Sequence, residues 1–261
     1  MEKVFISQSH QSRLILVFLG WGMDASPFVN LRKNGFDVLV VYDYTGMDDA
    51  AARDNAFALL VREAERYEEV VVVAWSFGVR IAADFLTGCR MHLPVTRAIA
   101  INGTTSHVHD TKGIPQAIFN GTLEHLSEAS VRKFNRRMFA SAASFADYMT
   151  HAPARSFDSL KSELATFARI SPSDNCGMFN LAIAGEADAS PVRNQLAAWA
   201  GVETETMPGA PHFIDLHSIL DNLIVDKHLV AERFKRAADT YSDHAGPQLE
   251  VARRLWDLAA P

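Results

Sequence analysis

A serine stands where a run of valines ends. In Glu69-Val-Val-Val-Val-Ala74-Trp75-Ser76-Phe77-Gly78 a segment with the texture of a buried strand passes into a helix-like one with almost no linker. A sharp strand-to-helix turn presses the two backbones together, so it needs small residues two positions before and after the residue at its tip. Ala74 and Gly78 occupy those positions, giving Ala-x-Ser-x-Gly in place of the commoner Gly-x-Ser-x-Gly. A serine at such a tip is presented for nucleophilic attack. A serine that only caps a helix accounts for Ser76 but not for the spacing of its small neighbours.

A hydroxyl attacks only if a base takes its proton and an acid orients that base, and after this kind of turn they follow in the order Ser, Asp/Glu, His. Leu181-Ala-Ile-Ala-Gly185-Glu186-Ala-Asp188 reads as a strand ending in a glycine turn with a carboxylate just beyond it, where the carboxyl ends of parallel strands gather a site. Asp188 is the expected acid. Glu186 competes with it locally, and capping of a helix that starts near Pro191 is its ordinary structural use. Pro208-Gly-Ala-Pro211-His212-Phe213 sets a histidine in a Pro/Gly loop before a helix, and of the ten histidines His212 alone combines that setting with the right chain order. His212 is the expected base. Acyl transfer also needs two backbone N–H donors for the developing oxyanion. Phe77, immediately after the serine, supplies one, and Trp21 in the glycine-flanked turn Gly20-Trp21-Gly22 supplies the other.

The same turn carries a rival reading. Gly20-x-Gly22-x-x-Ala25 after a strand, with Asp43 ending the next strand, has the outline of a dinucleotide-binding fingerprint with its ribose-binding acid. Trp21 is bulky for a turn that accepts a pyrophosphate, and Pro27 falls just inside the segment that would have to be helical. His107-Val-His109-Asp110 has the look of metal ligands but not the His-x-His-x-Asp-His spacing of metal-dependent hydrolases, so it reads as a polar loop and no metal is expected. Arg132, Lys133, Arg136 and Arg137 group on one side of a helical segment with Phe134 and Met138 on another, and such a cluster can dock an anionic partner.

These residues need a scaffold that brings distant segments to one edge. From residue 14 onward short β-branched runs alternate with longer stretches of helical spacing, which signals a parallel sheet covered on both faces. Strands are expected at 14–19, 38–42, 70–75, 98–102 and 181–184, with outer strands at 4–7 and 202–206, and crossover helices at 50–67 and 77–87. Residues 103–176 lack a convincing strand and separate two core strands by more than a crossover needs, so they read as an inserted helical lid. Of the 261 residues, 48% are hydrophobic and 21% charged, which suits a packed core. With 25 Lys and Arg against 31 Asp and Glu, the net charge of −6 argues against a surface built for nucleic acid. The apolar runs are far shorter than a membrane span and the N-terminus lacks a signal peptide's features, so a cytoplasmic protein is expected, without membrane association. Cys89 and Cys176 are expected as reduced, buried thiols.

Taken together, Gly20-Trp21-Gly22, Ala74-Trp-Ser76-Phe-Gly-Val79, Gly185-Glu-Ala-Asp188 and Ala210-Pro-His212-Phe213 resemble the α/β-hydrolases of biotin synthesis, of the BioG-type pimeloyl-ACP methyl ester esterase family. The resemblance covers about residues 1–225. It implies an α/β-hydrolase fold and, without any cofactor, hydrolysis of pimeloyl-ACP methyl ester to pimeloyl-ACP and methanol. Ser76 would be nucleophile, His212 base, Asp188 orienting acid, Trp21 and Phe77 oxyanion donors, and basic lid residues would meet the acidic acyl carrier protein. A general short-chain carboxylesterase or thioesterase is the neighbouring alternative. In residues 226–261, Phe234, Ala238, Tyr241, Ala245, Leu249, Ala252 and Trp256 roughly trace one helical face, and the stretch from Val230 to Gln248 resembles the opening of the malonyl-ACP O-methyltransferase that installs such a methyl ester. An ordinary amphipathic terminal helix is the alternative there. Because no glycine-rich turn for S-adenosylmethionine follows, no methyltransferase activity is expected.

Overall fold

The computed structural model describes residues 1–89 and 92–224, together with Lys235. The apolar runs become β1 (Glu2–Ser7), β2 (Arg13–Phe18), β3 (Asp37–Tyr42), β4 (Glu69–Trp75), β5 (Val95–Ile101), β6 (Leu181–Gly185) and β7 (Glu203–Met207), paired in the order β1-β3-β2-β4-β5-β6-β7. β1 runs antiparallel to β3 and the other neighbouring pairs are parallel. The central β2 and β4 are almost wholly buried, as near-continuous Val, Leu and Ile require of strands covered on both faces, while the edge strand β7 is polar and exposed. From β2 the chain moves outward to β3 and then returns to β4 on the other side. The carboxyl ends of β2 and β4 therefore flank the point where strand order reverses, the crevice in which open parallel sheets bind ligands.

Helices α1 (Ala50–Ala64) and α2 (Gly78–Cys89) make the crossovers on either side of β4. Asp49 caps α1 by accepting from Ala52 N at 2.8 Å. The helix stops before Tyr67, whose hydroxyl donates to Asp37 Oδ2 at 3.0 Å. α2 ends at Cys89, and Cys89 and Cys176 are both half-buried rather than core thiols, because each sits in a last turn or a short 3-10 segment at the sheet's rim. Between β5 and β6 the insertion folds into α3 (Gln116–Glu124), α4 (Glu128–Arg137), α5 (Ala142–Met149) and α6 (Phe157–Arg169). Three of these starts share one device: Ser127, Ser141 and Ser156 each accept from the backbone N–H three residues on. α7 (Val192–Ala198) joins β6 to β7, and α8 (Leu216–Leu223) crosses the division of the chain into two compact units after His217. The segment from Asp226, with its methyltransferase-like pattern, lies outside the described residues apart from Lys235.

The turn after β2 leads into a single 3-10 turn, Ser26–Phe28, not into the long helix whose N-terminus a pyrophosphate would need. One of its backbone donors is already engaged. Gly22 N donates to Glu163 Oε2 at 3.0 Å, and Asp43, the would-be ribose acid, pairs with Arg155 at 2.8 Å. The dinucleotide reading of Gly20, Gly22 and Asp43 fails on both counts.

Those contacts belong to a buried charge cluster that ties the insertion to the sheet. Glu163 on α6 is fully buried, accepts from Tyr44 N at 2.9 Å as well as from Gly22 N, and pairs with Arg155 at 2.6 Å. Around it, Trp21 Nε1 donates to Leu160 O at 2.9 Å and Ala154 N donates to Asp24 Oδ2 at 2.7 Å. Removing one partner of a buried pair strands the other without water. Glu163→Ala, which also orphans two backbone N–H groups, is expected to lower unfolding stability by about 3–5 kcal/mol, read as a lower urea midpoint; an unchanged midpoint would show that the cluster does not hold the insertion.

Candidate active site

β4 delivers Ser76 in the left-handed region, φ +57°, with its N–H donating to Ile101 O at 2.9 Å on the neighbouring β5. A non-glycine residue holds such a conformation only where its surroundings enforce it, at a cost of roughly 1–3 kcal/mol. Gly78 explains how the turn closes: a β-carbon there would lie 2.4 Å from Leu19 O. Gly103, just past β5, does the same from the other side, since its β-carbon would lie 2.2 Å from Ser76 O.

The structure brings Ser76, His212 and Asp188 into one hydrogen-bonded line. Ser76 Oγ lies 3.0 Å from His212 Nε2, and His212 Nδ1 lies 2.9 Å from Asp188 Oδ1. His212 is 5% exposed and the Asp188 side chain is fully buried. Burial by itself would raise the Asp188 carboxyl. Attraction from His212, with hydrogen bonds from His212, Ser190 N and Gln195, outweighs that and holds it below the usual carboxylate range. It therefore stays ionised at neutral pH, able to fix the imidazole with Nε2 facing the serine. Glu186 points elsewhere, exposed and accepting from Gly209 N at 3.3 Å. Asp188 caps no helix either, since α7 begins at Val192 behind Pro191 and Asp188 accepts from Ser190 N instead.

Several residues that the pattern of types did not single out hold this line in place. Asn102, buried and at φ +46°, accepts from Gly185 N at 2.7 Å and donates to the carbonyls of Pro211 and His212 at 3.0 and 2.9 Å. One amide thus joins the ends of β5 and β6 to the histidine loop. Trp75 Nε1 also donates to His212 O, at 2.9 Å, and Phe213 packs among Phe28, Trp75, Phe139 and Tyr148. Gln195 on α7 donates to Asp188 Oδ2 at 2.8 Å. The only cue in the chain was the Asn-Gly pair closing β5, which also describes a plain turn.

Trp21 and Phe77 line, with Ser76 and His212, a cavity of about 190 Å³ whose other walls include Ile118, Phe119, Phe134 and Leu164. Among the described residues no backbone acceptor takes the N–H of Trp21 or of Phe77. The four clustered cations do not act as one face. Arg136 is half-buried, donates to Phe139 O at 3.0 Å and lies over the Phe145 ring, while Arg132 lines a second cleft, Arg137 reaches the apolar cavity and Lys133 is exposed. His107 and His109 part company: His107 is buried against Phe167 O, and His109 accepts from the N–H groups of Thr111 and Lys112.

Comparison with known proteins bears on the fold and the family. A crystal structure of BioG from Haemophilus influenzae superposes with a TM-score of 0.68 and 31% identity, over 82% of this chain and 94% of that one. A lipase-esterase related protein from Clostridium acetobutylicum, TM-score 0.57 at 14% identity over 90% of this chain and 98% of that one, shares the α/β-hydrolase fold. A malonyl-[acyl-carrier protein] O-methyltransferase of Bacteroides fragilis is 38% identical over 254 residues, 94% of this chain but 49% of that protein. The chain thus spans about half the length of that curated relative. The model of one family, described as pimeloyl-ACP methyl esterase BioG, matches residues 1–214, from the first strand through the loop that carries His212. The chain belongs to that family.

Proposed function

We propose that this protein is a serine carboxylesterase that hydrolyses the methyl ester of a pimeloyl group carried on acyl carrier protein, releasing methanol. The observation that carries this reading is the line Ser76–His212–Asp188 opening on an apolar cavity. Membership of a family described as pimeloyl-ACP methyl esterase supports a carrier-bound methyl ester as the substrate. His212 Nε2 takes the Ser76 proton as Oγ attacks the ester carbonyl, and the Phe77 and Trp21 N–H groups receive the oxyanion. Collapse expels methoxide, which leaves as methanol with the proton from His212, and the acyl group stays on Ser76 until water removes it. The aliphatic chain lies along Trp21, Phe77, Phe119 and Phe134, where burial of methylenes favours a long acyl group over a short one. No cofactor enters these steps. The enzyme works in the cytoplasm on this reading, and among the described residues no helix is long and apolar enough to cross a membrane.

Arg132, Lys133 and Arg137 are the cations available to an acidic carrier, whereas Arg136 is committed to Phe139 O. We further infer that the segment after residue 225 belongs to a methyltransferase-like region, as the match to the Bacteroides fragilis protein extends over 94% of this chain.

Three outcomes test the reading. Ser76→Ala is expected to abolish both hydrolysis of methyl pimeloyl-ACP and labelling by a fluorophosphonate, with a loss of many orders of magnitude; persistent labelling of the variant, or a wild type more efficient on p-nitrophenyl butyrate than on the carrier-bound ester, would favour a general short-chain esterase. Reversing Arg132, Lys133 and Arg137 to Glu should reduce kcat/KM for the carrier-bound ester about tenfold or more while sparing the small ester, with the wild-type advantage shrinking as salt screens charges beyond about 10 Å. Truncation after Val225 should leave activity on the small ester within about twofold, because each proposed catalytic group precedes that point. Loss of that activity would make the tail an integral part of the hydrolase.

A further inference from the structure

A second, much smaller cavity lies against the same serine. It encloses about 30 Å³ and is lined by Ser76, Asn102, Thr104, His107, Gln195 and His212 among others. It shares Phe77, Ile114 and Pro191 with the acyl cavity and adds polar walls of its own. Thr104 and His107 are each 3% exposed and Gln195 is 4% exposed, and in each of them one polar atom, Thr104 Oγ1, His107 Nδ1 and Gln195 Oε1, has no partner among the described residues. Three orphaned polar atoms around one small cavity are a heavy cost if nothing meets them, since each forfeits about 1–3 kcal/mol of lost hydration.

Their chemistry defines what would fit. His107 Nε2 donates to Phe167 O at 2.9 Å, which leaves Nδ1 as an acceptor, and burial pulls the ring's pKa down to about 4, so it is neutral. Gln195 spends its amide N–H on Asp188, which leaves its carbonyl oxygen as an acceptor. The Thr104 hydroxyl can donate. Two acceptors and one donor match the two hydrogens and one lone pair of a water molecule, and 30 Å³ exceeds the roughly 10–15 Å³ that one water requires.

We propose that this polar cavity is the binding site of the water that deacylates Ser76. The inference rests on the serine-esterase reading above. While the acyl chain fills the apolar cavity, water must reach the ester carbonyl from the other side of the Ser76–His212 pair, and this chamber borders both residues. In the step itself the water turns one hydrogen from Gln195 Oε1 to His212 Nε2, its oxygen bonds to the acyl carbon, and that proton passes to Nε2. The tetrahedral oxyanion then collapses, the bond from carbon to Ser76 Oγ breaks, and His212 returns that proton to Oγ. The second water hydrogen leaves in the carboxylic acid. Thr104 and His107 hold the water, while Gln195 links it to the carboxylate that orients His212.

Thr104→Val keeps the shape of the side chain and removes its hydroxyl. In quench experiments with p-nitrophenyl butyrate, followed by intact mass spectrometry, the acyl-enzyme of this variant should live about tenfold longer than that of the wild type, the effect of one lost hydrogen bond. Fluorophosphonate labelling and kcat/KM, which report acylation, should stay within about twofold, and Thr104→Ser should restore the wild-type lifetime. A crystal structure of the unaltered protein should show a water bonded to Thr104 Oγ1, His107 Nδ1 and Gln195 Oε1. A normally labelled Thr104→Val with a wild-type acyl-enzyme lifetime, or a dry cavity in that crystal, would overturn the proposal while leaving the esterase reading intact. A wild type that neither labels nor acylates at Ser76 would end both.

Discussion

Around Ser76 three glycines leave no space for a β-carbon. One at Gly78 would press on Leu19 O, one at Gly103 on Ser76 O, and one at Gly20 would come within 2.9 Å of Ser76 Cβ. The close approach has two consequences. It forces Ser76 into a left-handed conformation that an isolated chain would abandon, and it brings the turn after β2, with the Trp21 N–H, beside the first turn of α2, with the Phe77 N–H. The backbone positions of Ser76, Trp21 and Phe77 are thus set by close backbone contact. Asn102 and Trp75 hold the backbone of His212 through its carbonyl, and Gln195 holds the carboxylate of Asp188.

The insertion illustrates how a protein holds a movable-looking element by specific polar contacts over an apolar interior. Phe119, Phe134 and Leu164 give the cavity its lining, but apolar contact is non-directional and would accept many placements of four short helices. Glu163 and Arg155 are directional. A carboxylate with two backbone N–H groups and a guanidinium in reach has one arrangement that satisfies all of them, and that arrangement places α6 over the Gly20–Met23 turn. Buried pairs of this kind add little net stability compared with well-packed apolar groups, yet an alternative placement would strand both charges. The same cluster reaches the Gly20-Trp21-Gly22 turn, so the insertion and that turn are positioned together.

Electrostatically the site is divided. The larger cavity is walled mainly by aromatic and aliphatic side chains, while the smaller one adds the Thr104 hydroxyl, the His107 imidazole and the Gln195 carboxamide. Gln195 sits at the junction, bonded to Asp188 through its amide and open to the small cavity through its carbonyl.

What the chain determined by itself was local chemistry and order. Runs such as Val70–Val73 can only be buried strands, small residues at 74 and 78 can only serve a close turn, and the sequence of serine, carboxylate and histidine along the chain limited the base to His212 and the acid to Asp188 or Glu186. Each of these is legible because hydrophobic periodicity, backbone sterics and titratable groups act over a few residues. The choice between Asp188 and Glu186, two residues apart, depended on which carboxylate the β6 turn directs inward, and that is a property of the sheet. Asn102, Gln195 and Glu163 carry no motif, because their partners lie at sequence separations of 7 to 141 residues and their residue types are common at surfaces. The basic cluster shows the converse: four cations adjacent in sequence face one way on a helical wheel, but packing of α4 against Phe145 and Phe139 committed one of them to the interior and turned another toward the cavity. Only the tertiary structure decides such cases, since what a polar group does depends on whether folding removes its water and which distant group replaces it.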